Sequence, residues 1–145
     1  MKKSVWVAVL VLLVGALALS ACGGDGGGNG EGVQRQDPPA DYASATNPFE
    51  GQADAVTAGE ALYTANCASC HGNTGAGDGP AAASLDPKPA SLRTTVAETE
   101  PVYQHWVISE GGAAAGLSSS MPAFKGSLSD EDIWRIVTFM EGTFN

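Results

Sequence analysis

The sequence predicts an all-α domain of three main helices joined by long loops. Three windows place apolar residues at helical spacing, each bounded by a start or stop signal. Nothing after residue 53 sustains the period-two alternation of a strand. Glycine and proline, 19 and 8 of the 145 residues, fall largely between the helical windows. A chain of this length holds one domain of ordinary size, which excludes a multi-domain enzyme. Its formal charge of −9 leaves no basic footprint for phosphates, so nucleic acid is excluded as a partner.

The chain opens with Lys2 and Lys3, then an apolar run from Val5 to Leu19 that ends in Leu19-Ser20-Ala21-Cys22. Residues 1–21 therefore read as an export signal. The last four residues resemble the lipobox of bacterial lipoproteins. That resemblance implies cleavage before Cys22 and a diacylglycerol on its thiol. The alternative is an uncleaved anchor helix, since about 18 apolar residues can span a bilayer. Either way the basic end stays inside and the rest of the chain is exported. Residues 22–52, rich in glycine and proline, offer almost nothing to bury and read as a flexible tether. Its random-coil reach is on the order of 30 Å and its taut limit roughly 100 Å. No Lys-Ser/Thr pair follows these glycines, so they are not a phosphate cradle.

Residues 53–145 are the folded domain, small enough that a core of side chains alone would be marginal. Thr57-Ala58-Gly59-Glu60 has a capping-box pattern and starts a helix that runs through Leu62 and Tyr63 into Cys67. A second helix is expected from about Glu100 to Glu110. Pro101 suits its first turn, Val102/Trp106 and Tyr103/Val107 are i,i+4 pairs, and Gly111-Gly112 stops it. A third begins after Ser129, with Asp130, Glu131 and Asp132 at the positive end of its dipole. Ile133, Ile136, Val137 and Met140 share its inner face, flanked by Trp134 and Phe139.

Cys67-Ala68-Ser69-Cys70-His71 carries the chemistry. On a helix, positions i, i+3 and i+4 project two thiols and an imidazole from one side. C-x-x-C-H is the signature of c-type haem attachment: Cys67 and Cys70 form thioethers and His71 gives the iron an axial nitrogen. A thioredoxin-like pair would need a βαβ setting, and a zinc site would need a fourth ligand from His105 or Cys22. With Cys22 lipidated and the other two cysteines on one covalent haem c, no thiol is left for a disulfide.

The sixth iron position is assigned by elimination. Met1 leaves with the signal, and Met140 lies in phase with the core of the last helix. Met121 remains, in a loop and fixed by Pro122. His105 is the competing ligand; lying off the Val102/Trp106 line, it is expected at an exposed or edge position.

From about residue 53 onward the chain resembles the class I c-type cytochromes. The resemblance is carried by Gly59 and Tyr63 ahead of Cys67-Ala68-Ser69-Cys70-His71-Gly72, by Gly77-Asp78-Gly79-Pro80, by Met121-Pro122, and by Leu128-Ser129-Asp130-Glu131-Asp132 with Phe139. It implies the small cytochrome c fold around one haem. It further implies that Gly59 lets the first and last helices cross closely, with Tyr63 and Phe139 packed at the crossing. A proline carbonyl after the motif would accept the hydrogen bond from the other nitrogen of His71. Pro80 is the matching position, and Asp86-Pro87-Lys88-Pro89 forms a second proline cluster.

These observations point to a monohaem electron carrier, not an enzyme, tethered by lipid to the outer face of a bacterial membrane. Iron would cycle between Fe(II) and Fe(III), with His/Met ligation raising its potential. Its partners would be redox proteins, met through a basic docking patch or an uncharged rim. A rival is the haem subunit of a larger membrane oxidoreductase, of alternative complex III or terminal oxidase type; copurification separates the two. A haem enzyme or gas sensor, with Met121 labile, is a third class, disfavoured because no distal acid-base pair is evident.

Overall fold

The computed structural model describes residues 35–145. The amino-terminal apolar run, Cys22 and the glycine-rich stretch lie outside the described residues. Within that span the regular elements are α1 (Ala40–Ala43), α2 (Ala53–Asn66), α3 (Ala68–His71), α4 (Leu92–Glu98), α5 (Pro101–Glu110) and α6 (Asp130–Phe144). Two 3₁₀ turns, Ala82–Ser84 and Gly112–Ala115, complete them, and there is no strand among the described residues. None of the described helices is long and apolar enough to cross a membrane.

α6 follows its sequence closely. The Ser129 hydroxyl accepts a hydrogen bond from the Asp132 N–H at 3.2 Å, capping the helix, and three acidic residues occupy its first turn. Ile133, Ile136, Val137 and Met140 are buried, as are Trp134 and Phe139, so the helix is apolar over most of its circumference. Against it lies α2, whose Gly59 makes the approach possible. A Cβ at Gly59 would run into the Arg135 carbonyl oxygen and come within 2.8 Å of Phe139 Cβ. One turn on, Tyr63 meets Phe139 with ring centroids 5.3 Å apart and Phe144 at 5.4 Å. Each such aromatic pair adds about 0.5–1.5 kcal/mol beyond area burial.

α2 begins four residues before the expected cap. Ala53-Asp54-Ala55-Val56 is compatible with helix, so the chain is already wound when it reaches Thr57. There the hydroxyl bonds back to the Ala53 carbonyl at 3.2 Å instead of capping. α5 has the predicted bounds: Pro101 in the first turn and Gly111, at φ 83°, ending it. Every residue from Tyr103 to Ser109 is buried, because α6, the Gly112–Ala115 turn and α1 pack around it. α4 was not expected. Its apolar content is little more than Leu92 and Val96, and its two threonines favour helix weakly, so no amphipathic pattern marks it.

The expectation of a flexible tether through residue 52 is also corrected. From Arg35 onward the segment is packed on the domain. The Gln36 N–H bonds the Ala115 carbonyl at 3.3 Å, and the Tyr42 hydroxyl donates to Glu110 Oε1 at 2.6 Å. Asn47 Nδ2 donates to Thr138 Oγ1 at 3.0 Å, and Arg135 stacks over the Phe49 ring at 4.5 Å. Composition suggested a tether because the segment is short of aliphatic residues. It is held instead by two aromatic rings and hydrogen bonds to distant elements, which leave no periodic trace.

Gly59→Ala tests the crossing. Displacing the α6 backbone by a methyl group is expected to cost about 1–3 kcal/mol in chemical unfolding. Gly142→Ala on α6, whose added Cβ would meet nothing closer than Val56 at 3.8 Å, is expected to be neutral or stabilising.

Candidate haem site

Cys67 is the joint between α2 and α3. Its N–H bonds the Tyr63 carbonyl at 2.8 Å, closing the longer helix, and its own carbonyl accepts from Cys70 N–H at 3.1 Å and His71 N–H at 2.9 Å, opening the shorter. The five residues Cys67 to His71 thus form a single turn. Gly72, at φ 77°, ends it, and the Tyr63 hydroxyl donates to the Gly72 carbonyl at 2.7 Å inside the core. The loop that follows folds back on the turn: Gly79 N–H bonds the Cys70 carbonyl and Ala81 N–H the Ser69 carbonyl, at 3.1 and 2.9 Å. A side chain at Gly79 would collide with the Ser69 carbonyl oxygen and approach that of Ala68 to 2.5 Å.

Burial pushes the Cys67 thiol up to about 12, with Cys70 adding to the rise. That is the reverse of the lowered value a thioredoxin-type nucleophile needs. Both described cysteines are free of disulfides. Burial also holds the His71 imidazole below its usual value, opposed by a hydrogen bond to a backbone carbonyl. The ring is therefore neutral at neutral pH. Its Nδ1 lies 3.1 Å from the Ala90 oxygen, which assigns the proton to Nδ1 and leaves the Nε2 lone pair free.

The partner is thus Ala90 and not Pro80, as the resemblance implied. The hydrogen bonds of Gly79 and Ala81 hold Pro80 behind the motif. There it lines a polar depression with Asn73, Thr74 and Asp78, separate from the side His71 faces. The second proline cluster delivers the acceptor: the chain leaves Pro89, passes His71 at Ala90, and is pinned by Leu92 N–H to the Gly75 carbonyl at 2.7 Å.

Met121 is half-buried in the loop after the second 3₁₀ turn. Its N–H bonds the Ser118 carbonyl at 3.2 Å and its carbonyl accepts from Gly112 N–H at 3.0 Å. Cys67, His71 and Met121 all border one cleft that is partly open to solvent. Its wall is otherwise mostly apolar, from Leu92, Val96, Val107, Ile108, Leu117 and Met140. Met140 belongs to the buried core as expected, and also faces this cleft. Arg35, Tyr103 and Gln104 give it polar groups, of which Tyr103 Oη and Gln104 Oε1 are buried without a hydrogen-bond partner. A thiol, a neutral imidazole and a thioether on one apolar cleft, with an orphaned hydroxyl, fit a large flat cofactor with polar substituents.

His105 does not border the cleft. Contrary to the edge position expected from sequence, it is 2% exposed, stacked on Trp134 at 4.0 Å and 17°. Its Nε2 lies 3.0 Å from Asp130 Oδ1, off the axis of a good hydrogen bond, and burial lowers its basicity against the pull of Asp130. The helical pairing pattern could not reveal this, because α5 is enclosed on all sides.

Residues 54–140, more than half of the chain, match the family described as cytochrome c oxidase, cbb3-type, subunit III. The chain belongs to this family of c-type cytochromes. Its fold is also similar to solved structures. One is a chain of the reducing HAO-like protein complex of Kuenenia stuttgartiensis, with TM-score 0.55 and 22% identity, over 75% of this chain and 51% of that one. Another is cytochrome cL from Methylophaga aminisulfidivorans, with TM-score 0.53 and 19% identity, over 81% and 71%. The cytochrome thus spans about half the length of the first of these. No curated protein matches it. Family membership implies haem c, and Cys67-Ala68-Ser69-Cys70-His71 lies inside the matched residues.

The reassigned hydrogen bond has a direct check. Pro80→Ala in the holoprotein is expected to leave the visible spectrum and the midpoint potential unchanged, because the acceptor for His71 is ten residues further on. A shift in potential would return the role to Pro80.

Proposed function

We propose that this cytochrome is a monohaem electron carrier, with thioethers to Cys67 and Cys70 and iron ligated by His71 and Met121. The observation that carries this reading is the shared cleft of Cys67, His71 and Met121. When bound, haem c supplies a one-electron iron couple with no atom transferred. The chain's residues then have distinct tasks. His71 offers Nε2 as a donor, and the Ala90 carbonyl fixes its ring and strengthens that donation. Met121 offers a thioether, a soft donor that favours Fe(II) and raises the potential. Leu92, Val96 and Ile108 line the cleft and would keep water from the group.

The same reading places the domain on the outer side of a bacterial membrane, held by lipid on Cys22, with redox proteins as donor and acceptor. Its support is the apolar run ending at Leu19-Ser20-Ala21-Cys22. A second reading, a haem subunit that feeds electrons into a larger membrane oxidoreductase, is favoured by one observation: the matched family is described as an oxidase subunit. Copurification with a membrane complex under mild detergent would select the second.

Pyridine haemochrome analysis is expected to return one haem per chain that acid-acetone does not extract. Met121→Ala is expected to abolish the weak near-infrared sulfur-to-Fe(III) band and lower the potential, whereas His105→Ala keeps the band. The opposite pattern would make the iron bis-histidine. Cys22→Ser, with the signal retained, is expected to leave spectrum and potential unchanged while removing the lipid. Mass spectrometry of the wild-type amino terminus should find diacylated Cys22; an intact residue 1–21 segment would instead indicate an uncleaved anchor.

A further inference from the structure

The amino-terminal segment 35–52 lies wholly ahead of the residues that match the cytochrome family, yet its first described residue borders the cleft. Arg35 borders that cleft, and its guanidinium pairs with Glu98 at the end of α4 at 3.1 Å. The neighbouring Gln36 N–H is tied to the fully buried Ala115, which fixes the backbone from which Arg35 extends. Tyr103 on α5 borders the same cleft with its hydroxyl buried and unpartnered. A buried hydroxyl without a hydrogen-bond partner is destabilising, so an acceptor is missing there. Glu98 uses one face of the Arg35 fork, and the guanidinium has five donors to offer. A cation with spare donors and an orphaned hydroxyl donor on one cleft are complementary to a carboxylate. Haem carries two carboxylates, which cannot lie where its vinyl groups join the cysteines.

We propose that Arg35 and the Tyr103 hydroxyl bind a carboxylate of the haem, so that the segment ahead of the cytochrome domain sets the charge at the cofactor's edge. This rests on the reading of the cleft as the haem site. The other titratable groups near this end are Glu98 on α4 and Glu141 on α6, the latter accepting from Gln104 Nε2. Gln104 spends its donors on Glu141 and the Thr99 carbonyl, so it has none for the carboxylate. A paired carboxylate stays ionised through mild acid, and the nearby cation favours the electron-rich Fe(II) state.

The test is a spectroelectrochemical titration of the full-length holoprotein from pH 5 to 8. Arg35→Gln is expected to lower the midpoint potential at pH 8. It should also give a potential that falls as pH rises, because the unpaired carboxyl now ionises within that range. Arg35→Lys should recover most of the loss, and Tyr103→Phe should show a smaller version of the same pH dependence. Glu98→Gln separates this from a purely structural role. If Arg35 serves only as a clasp to α4, Glu98→Gln will reproduce Arg35→Gln; if Arg35 serves the haem, Glu98→Gln will leave the potential unchanged or raise it. Should Arg35→Gln not accumulate as holoprotein, the Tyr103→Phe and Glu98→Gln profiles decide alone. Variants that carry covalent haem but match the wild-type potential at every pH overturn this proposal and spare the haem reading. A wild-type chain without covalent haem overturns both.

Discussion

The crossing of α2 and α6 at Gly59 is the contact on which the rest of the molecule depends. A glycine there brings the helix backbones close enough for Tyr63, one turn later, to pack against both Phe139 and Phe144, which also meet each other. From that cluster the Tyr63 hydroxyl reaches the Gly72 carbonyl and holds the end of the turn that carries both cysteines and His71. The position of the motif is therefore set by a tyrosine on the preceding helix and, through it, by the packing of the last helix. A substitution at the crossing would be felt at the Cys67–His71 turn without touching it.

Two loops complete the arrangement, and each is fixed by backbone hydrogen bonds. Residues 89–92 are brought past His71 by the bond from Leu92 to Gly75, and Met121 is held at the end of α5 by Gly112. Groups held this way move little, which would suit the proposed haem site in serving two oxidation states without rearranging.

What was legible in the sequence follows the same division. The all-α class, the bounds of α5 and the Ser129 cap rest on side-chain chemistry at fixed spacing, the Gly59/Tyr63/Phe139 crossing was implied by the family resemblance, and the structure has all of them. Cys67, His71 and Met121, chosen on ligand chemistry, border one cleft. The misses concern contacts that have no side-chain signature. Any residue has a carbonyl, so nothing in the letters marks Ala90 over Pro80. His105 looked peripheral because a helix wheel assumes one wet face, and α5 has none. The 35–52 segment looked unstructured because its anchors, such as Tyr42 to Glu110 and Asn47 to Thr138, join residues far apart in sequence.

That packed segment changes what anchoring would mean for encounter kinetics. Were the domain to begin at residue 53, an attachment at Cys22 would let it roam to roughly 100 Å. With the chain secured from Arg35 onward, residues 22–35 span at most about 45 Å even when fully extended. The volume accessible to the domain then shrinks by about tenfold. Were Cys22 the anchor, the effective concentration seen by a membrane-bound partner within range would rise by a similar factor, while partners farther off would be lost. The choice of redox partner would thus be made partly by geometry, in favour of immediate neighbours in the same membrane.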